Sequence, residues 1–255
     1  MLKLRIIPVM LWSGIGLIKG RKFDHSRKVG SPVSATRVYR ARDIDELVLL
    51  DVAATLGHVS PRTDEIRSLA NECDFPLTVG GGVTTEENIE QLFAVGADKV
   101  SLNSVCYSRP ELVTSASRRF GRQSIVVSVD YRDTSEGLQC FSHAGTQPTG
   151  INLLEWVREM EARGAGELIL CNCDYDGMMS GYDIENLSRV ALAVSIPVIA
   201  LGGAGNLQHF VEVVRMTQVS AVAAGSVFHF TDITPHEIKR ELQLHGVPVR
   251  KSVVA

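Results

Sequence analysis

The chain has 255 residues, 45% of them apolar and 22% charged, with a formal net charge of -3. That is enough chain for one α/β barrel or two small domains, and enough apolar content for a large core. The near-neutral balance gives no footing to nucleic acid or an acidic membrane surface, and no apolar run reaches the length of a membrane span.

The opening Met1-Leu2-Lys3-Leu4-Arg5-Ile6-Ile7-Pro8 reads as a strand and not a signal peptide, because its apolar run is short and lacks a cleavage site. From there, short β-rich runs alternate with helical patterns. Strands are expected at 4–10, 47–51, 77–79, 99–102, 125–130, 168–171, 198–201 and 221–224. Helices are expected at 61–73, 86–95, 110–120, 153–163, 184–193, 207–215 and 235–244. Eight strands with intervening helices predict a single (β/α)8 barrel over residues 1–255, with an open doubly wound sheet as the alternative. The longest stretches read as irregular, 13–31 and 131–149, follow the first and fifth strands. Both leave strand C-termini, where barrel enzymes keep their chemistry, so they are candidate lids or substrate loops. The five cysteines are scattered, odd in number and without zinc-site spacing, which suits reduced core thiols in the cytoplasm.

Two glycine runs close strands: Thr78-Val79-Gly80-Gly81-Gly82 and Ala200-Leu201-Gly202-Gly203-Ala204-Gly205. A missing Cβ lets another group lie against backbone N–H donors, and the helix that follows favours an anion at its N-terminus. Pro76 and Pro197 lie 121 residues apart, as do Gly82 and Gly203. Glu46-Leu47-Val48 is echoed by Glu167-Leu168-Ile169, and Ser104-Val105 by Ser226-Val227, so the barrel reads as two half-barrel repeats. One phosphate cradle would use Gly81, Gly82, Asn103 and Ser104; the opposite one would use Gly177, Gly203, Gly205, Gly225 and Ser226.

Over essentially its whole length the chain resembles the cyclase subunit family of imidazole glycerol phosphate synthase. The resemblance rests on Arg5-Ile6-Ile7, Asp45-Glu46-Leu47-Val48, Thr78-Val79-Gly80-Gly81-Gly82, Gly96-Ala97-Asp98-Lys99-Val100-Ser101, Asp174-Tyr175-Asp176-Gly177 and Gly202-Gly203-Ala204-Gly205. It implies a glutaminase subunit docked beneath the barrel as a heterodimer, and ammonia rising through the interior to a doubly phosphorylated substrate. It also implies an ammonia gate at the lower mouth, here Arg5, Glu46, Lys99 and Glu167, with Asp98 beside it at the partner interface. Each charge stands at the start of a strand, and Lys99 shares a face with Ser101 as Glu167 does with Cys171. A purely structural ring of ion pairs is the competing explanation.

The upper end departs from the family. Its cyclases use two aspartates; the fifth-strand one is Asp130, but the first-strand position is Leu11, which cannot move a proton. Ala144, Cys171 and Leu201 stand where the family usually has hydroxyls, while Lys19 is retained. Catalytic roles are therefore expected for Asp130 and Lys19, with Asp176 ordering the rim. Asp174-Tyr175-Asp176-Gly177 lacks the ligand series of a calcium loop, and no cofactor or metal is expected. His209 and His229 are expected to pack near helix starts, Trp156 to lie in the core, and Trp12 to face substrate.

These departures, with Val219-Ser220-Ala221-Val222-Ala223-Ala224-Gly225-Ser226, resemble a divergent branch tied to acetamidino sugars of surface polysaccharides. The leading expectation is thus ammonia-dependent C–N bond formation on a phosphorylated or nucleotide-linked sugar. The alternatives are ordinary imidazole glycerol phosphate synthesis, and a non-catalytic conduit that activates the glutaminase.

Overall fold

In the computed structural model, which describes residues 3–250, eight parallel strands close on themselves. They are β1 (Arg5–Trp12), β4 (Leu47–Asp51), β5 (Leu77–Gly80), β6 (Lys99–Leu102), β7 (Ile125–Thr134), β10 (Glu167–Asn172), β11 (Val198–Leu201) and β12 (Ala221–Ala224). Closure comes where β10 pairs with β7 (Cys171 beside Asp130) and β12 with β1 (Arg5 beside Ala221). These strands are apolar runs because both faces are covered: one faces the barrel interior, the other the helices. Ile7, Val9, Val48, Val126, Ile169, Ile199, Ala221 and Ala223 fill the interior as one cluster.

The outer ring follows the expected pattern: α3 (Thr63–Ala70), α4 (Glu86–Ala94), α6 (Glu111–Phe120), α7 (Leu153–Arg163), α8 (Ile184–Ala193), α9 (Leu207–Met216) and α11 (Pro235–Leu244). The repeat is visible in the backbone. Gly81 and Gly82 have φ of 101° and 70°, and Gly202 and Gly203 have 95° and 97°. Thr85 then caps α4 through Asn88 N–H, and Asn206 caps α9 through His209 N–H.

Four further helices lie outside the ranges named from the sequence, although a helix is expected after every barrel strand. α1 (Pro32–Ala41) starts with proline in its first turn and buries Thr36 and Tyr39. Three are single turns: α2 (Val52–Leu56), α5 (Ser104–Ser108) and α10 (Ser226–Phe230).

The two stretches read as irregular are antiparallel sheet extensions. β2 (Leu17–Arg21) pairs with β1 and with β3 (Asp24–Gly30), turning at Lys22 and Phe23, both at positive φ. At the fifth strand, β7 runs on past Asp130 and pairs with β8 (Gly137–Ser142), which pairs with β9 (Gln147–Asn152). Their outer strands are solvated and polar, so they lack the apolar runs that mark barrel strands.

Chain end and chain start are stapled together. Lys239 of α11 is buried, its Nζ 2.9 Å from Asp45 Oδ1 and 2.6 Å from the Asp43 carbonyl oxygen. Asp45 Oδ2 accepts the Ile6 N–H at 2.8 Å. Removing one member of a buried pair leaves an uncompensated charge, so Lys239→Met is expected to lower stability by about 3–5 kcal/mol in urea unfolding.

Candidate active site

The C-terminal strand ends enclose a cavity of ≈ 360 Å³. Its walls bring together Lys19 of β2, Asp130 of β7 and Asp176 of the loop after β10, three residues widely separated in sequence. Asp130 is buried and accepts from Asn103 Nδ2 at 2.8 Å. Burial pushes its carboxyl up to about 7; the Asn103 bond opposes this and Asp176 adds to it. Leu11, Leu50, Ala144, Cys171 and Leu201 line the same cavity, so the wall around Asp130 is largely apolar. Burial also holds the Cys171 thiol well above its ordinary value.

The two glycine cradles differ. Gly81, Gly82, Asn103 and Ser104 open onto the large cavity. Gly177, Gly203, Gly225 and Ser226 surround a void of only ≈ 10 Å³, and Asp176 borders both spaces. Gly205 lines neither, and its N–H donates to His209 Nδ1 at 3.1 Å, a packing role for that histidine. Lys19 packs against one wall of the second cradle: a Cβ at Gly225 would meet its Cε at 2.2 Å. The Ser226 hydroxyl is buried there without a hydrogen-bond partner among the described residues.

The glycines also answer to a need other than ligand approach. A Cβ at Gly81 would meet the Asp51 carbonyl oxygen at 2.2 Å, one at Gly82 that of Val59 at 2.3 Å, and one at Gly203 that of Gly181 at 1.9 Å. Their missing side chains make room for neighbouring loops, and the Gly82 N–H already donates to Thr55 Oγ1 at 3.3 Å.

Trp12 does not face the cavity. It ends β1, packs in the core, and lies 5.5 Å beneath the Arg62 guanidinium, which pairs with Asp51 at 3.2 Å. Trp156 is core as expected and stacks on Tyr107 at 4.5 Å. His229 is half-buried, and burial together with Lys19 lowers its imidazole to about 4.

At the opposite mouth the four strand-start charges form a closed ring. Arg5 reaches Glu46 at 2.8 Å and also Glu167; Lys99 reaches both carboxylates at 3.0 Å. Burial works against the Glu46 charge, but Arg5 and Lys99 overcome it and hold that carboxyl below the usual range. Asp98 is exposed beside the ring, with one oxygen accepting the Leu77 N–H at 2.8 Å.

The model of the histidine biosynthesis protein family matches residues 5–234. The chain belongs to that family. Among its members, the imidazole glycerol phosphate synthase subunit HisF of Natranaerobius thermophilus is 42% identical over 250 residues, covering 98% of this chain and 100% of the relative. The subunits of the same name from Staphylococcus carnosus and Streptomyces coelicolor are each 43% identical, covering 98% of this chain and 99% of their own. These family members support the histidine-pathway alternative better than the sugar-modifying expectation, and nothing in them bears on a polysaccharide branch. No helix among the described residues is long and apolar enough to cross a membrane.

Reading the sequence missed His58 and His143, which line the large cavity with ring centroids 5.6 Å apart. Neither lies in a recognisable motif; the stretch after α2 and the turn between β8 and β9 meet over the cavity.

Proposed function

We propose that this chain, acting over residues 1–255 as one barrel, is the ammonia-receiving synthase subunit of a pair with a glutaminase docked around Asp98. The observation that carries this reading is the alignment, on one barrel axis, of a charge ring, an apolar interior and a buried carboxyl. Neutral ammonia can cross a wall of Ile, Val and Ala that an ammonium ion could enter only at heavy cost. Arg5, Glu46, Lys99 and Glu167 would separate to admit it. At the top, Asp130, half ionised near neutrality, can exchange protons during C–N bond formation, with Lys19 and Asp176 facing the same space.

For the acceptor, the names of the relatives favour the doubly phosphorylated histidine-pathway substrate, with the product imidazole glycerol phosphate. On this reading Asp130 works without a first-strand partner, and the reaction is slow. The apolar wall of Leu11, Leu50, Cys171 and Leu201 favours a second reading, ammonia transfer to a phosphorylated or nucleotide-linked sugar, as in acetamidino modification.

Turnover of the histidine-pathway substrate with ammonium salts separates the two. A positioned acid or base is typically worth about 10²–10⁴-fold in rate, so the first reading expects turnover reduced by about that factor against a two-carboxylate relative. Binding without turnover would favour the second. Neither binding nor turnover would remove the first reading altogether.

A further inference from the structure

His58 follows α2, His143 sits in the turn between β8 and β9, and both line the large cavity beside Gly82 and Ser104. Their rings are tilted by 59°, and both backbones are left-handed, with φ of 50° and 51°. That conformation is uncommon outside glycine, although histidine adopts it more readily than most residues.

His143 is tied to the cradle. Its N–H donates to Ser104 Oγ at 2.9 Å, and its Nδ1 lies 3.0 Å from Ser142 Oγ. In the tautomer in which the Ser142 hydroxyl donates to Nδ1, the neutral ring carries its hydrogen on Nε2, where it can donate to a ligand. Ser104 keeps its own hydroxyl hydrogen to give, because its oxygen is the acceptor in the His143 bond. The His58 ring touches His143 and makes no hydrogen bond among the described residues.

The charges on this side suit an anion. Arg109 lines the same rim, one guanidinium nitrogen donating to the Thr84 carbonyl oxygen at 3.1 Å. Asp51 is neutralised by Arg62, and Asp130 is engaged by Asn103. A phosphate group carries up to two negative charges, which two imidazoles and a hydroxyl can share as charge-assisted hydrogen bonds.

We propose that His58 and His143, together with Ser104, grip a phosphate group of the substrate at the first cradle and select for a phosphorylated end there. The proposal rests on the reading of Gly82 and Ser104 as an anion site and names the side chains that would supply its affinity. At the second cradle the Gly225 backbone packs against the Lys19 side chain.

The test is titration of inorganic phosphate into the full chain, read by calorimetry and by the imidazole resonances of histidine-labelled protein. Phosphate should move the ring signals of both His58 and His143. His58→Asn with His143→Asn keeps residues that accept left-handed backbone, and should weaken phosphate binding tenfold or more. Phosphate binding without movement of either ring, or with unchanged affinity in the double variant, would overturn the clamp and leave the cradle standing. Failure of the unmodified chain to bind phosphate at all would remove the anion site itself. The ring signals of the unmodified chain decide the matter even if the double variant folds poorly.

Discussion

Asp130→Asn is expected to abolish most ammonia-dependent synthesis, by about 10²–10⁴-fold, while making the protein more stable at alkaline pH. The stability half follows from linkage. Burial raises the Asp130 carboxyl to about 7 in the folded chain, against about 4 for an unfolded aspartate. The native state therefore holds the proton more tightly than the unfolded state. The cost of ionising Asp130 inside the fold is absent below about pH 4, grows between about pH 4 and 7, and is complete above. Asparagine keeps an oxygen for the Asn103 Nδ2–H donor and has no charge to bury. Urea unfolding should show the variant gaining on the order of a few kcal/mol at pH 8 and little at pH 4. The rate of the unmodified chain should titrate with a midpoint near 7 if Asp130 acts as a base. An active Asp130→Asn variant would remove that role.

Lys99→Ala, assayed with its glutaminase partner, is expected to let glutamine hydrolysis continue while product per glutamine falls severalfold. Saturating ammonium salts should still support turnover from the upper side. Lys99 bridges Glu46 and Glu167, so its loss leaves two carboxylates held only by Arg5 and opens the lower mouth to water. The same change should cost up to a few kcal/mol, because each carboxylate loses a partly buried cation. Equal loss of hydrolysis, coupled synthesis and ammonium-driven synthesis would mean damage to the fold and would count against a gate.

Much of the barrel was legible because parallel strands covered on both faces are short apolar runs. Leu47–Asp51, Lys99–Leu102, Val198–Leu201 and Ala221–Ala224 end where the sequence pattern suggested. What lay outside the barrel was not legible. Asp24–Gly30 and Gln147–Asn152 are polar strands whose partner is a neighbouring hairpin strand, so hydrophobic periodicity carries little of their pairing. In the site, the glycine runs marked the correct strand ends, but the space left by their missing Cβ atoms is filled by Asp51, Val59 and Gly181 backbone. Trp12 misled because an aromatic beside a loop reads as a ligand contact, whereas here it is the platform for Arg62. The unequal cradles could not be read at all: near-identical glycine patterns give no sign that one opens onto a cavity of ≈ 360 Å³ and the other encloses only ≈ 10 Å³.

The Lys239 staple bears on how the chain is born. Lys239 and Asp43 are 196 residues apart, so the carboxylate of Asp45 waits for its partner until α11 has been made. At about 5–20 residues per second, that wait is roughly 10–40 s on the ribosome. During it, β1 has no β12 to pair with, and its unpaired edge is open to other strands. Emergence of α11 is then the step that seals the seam between the first and last parts of the barrel.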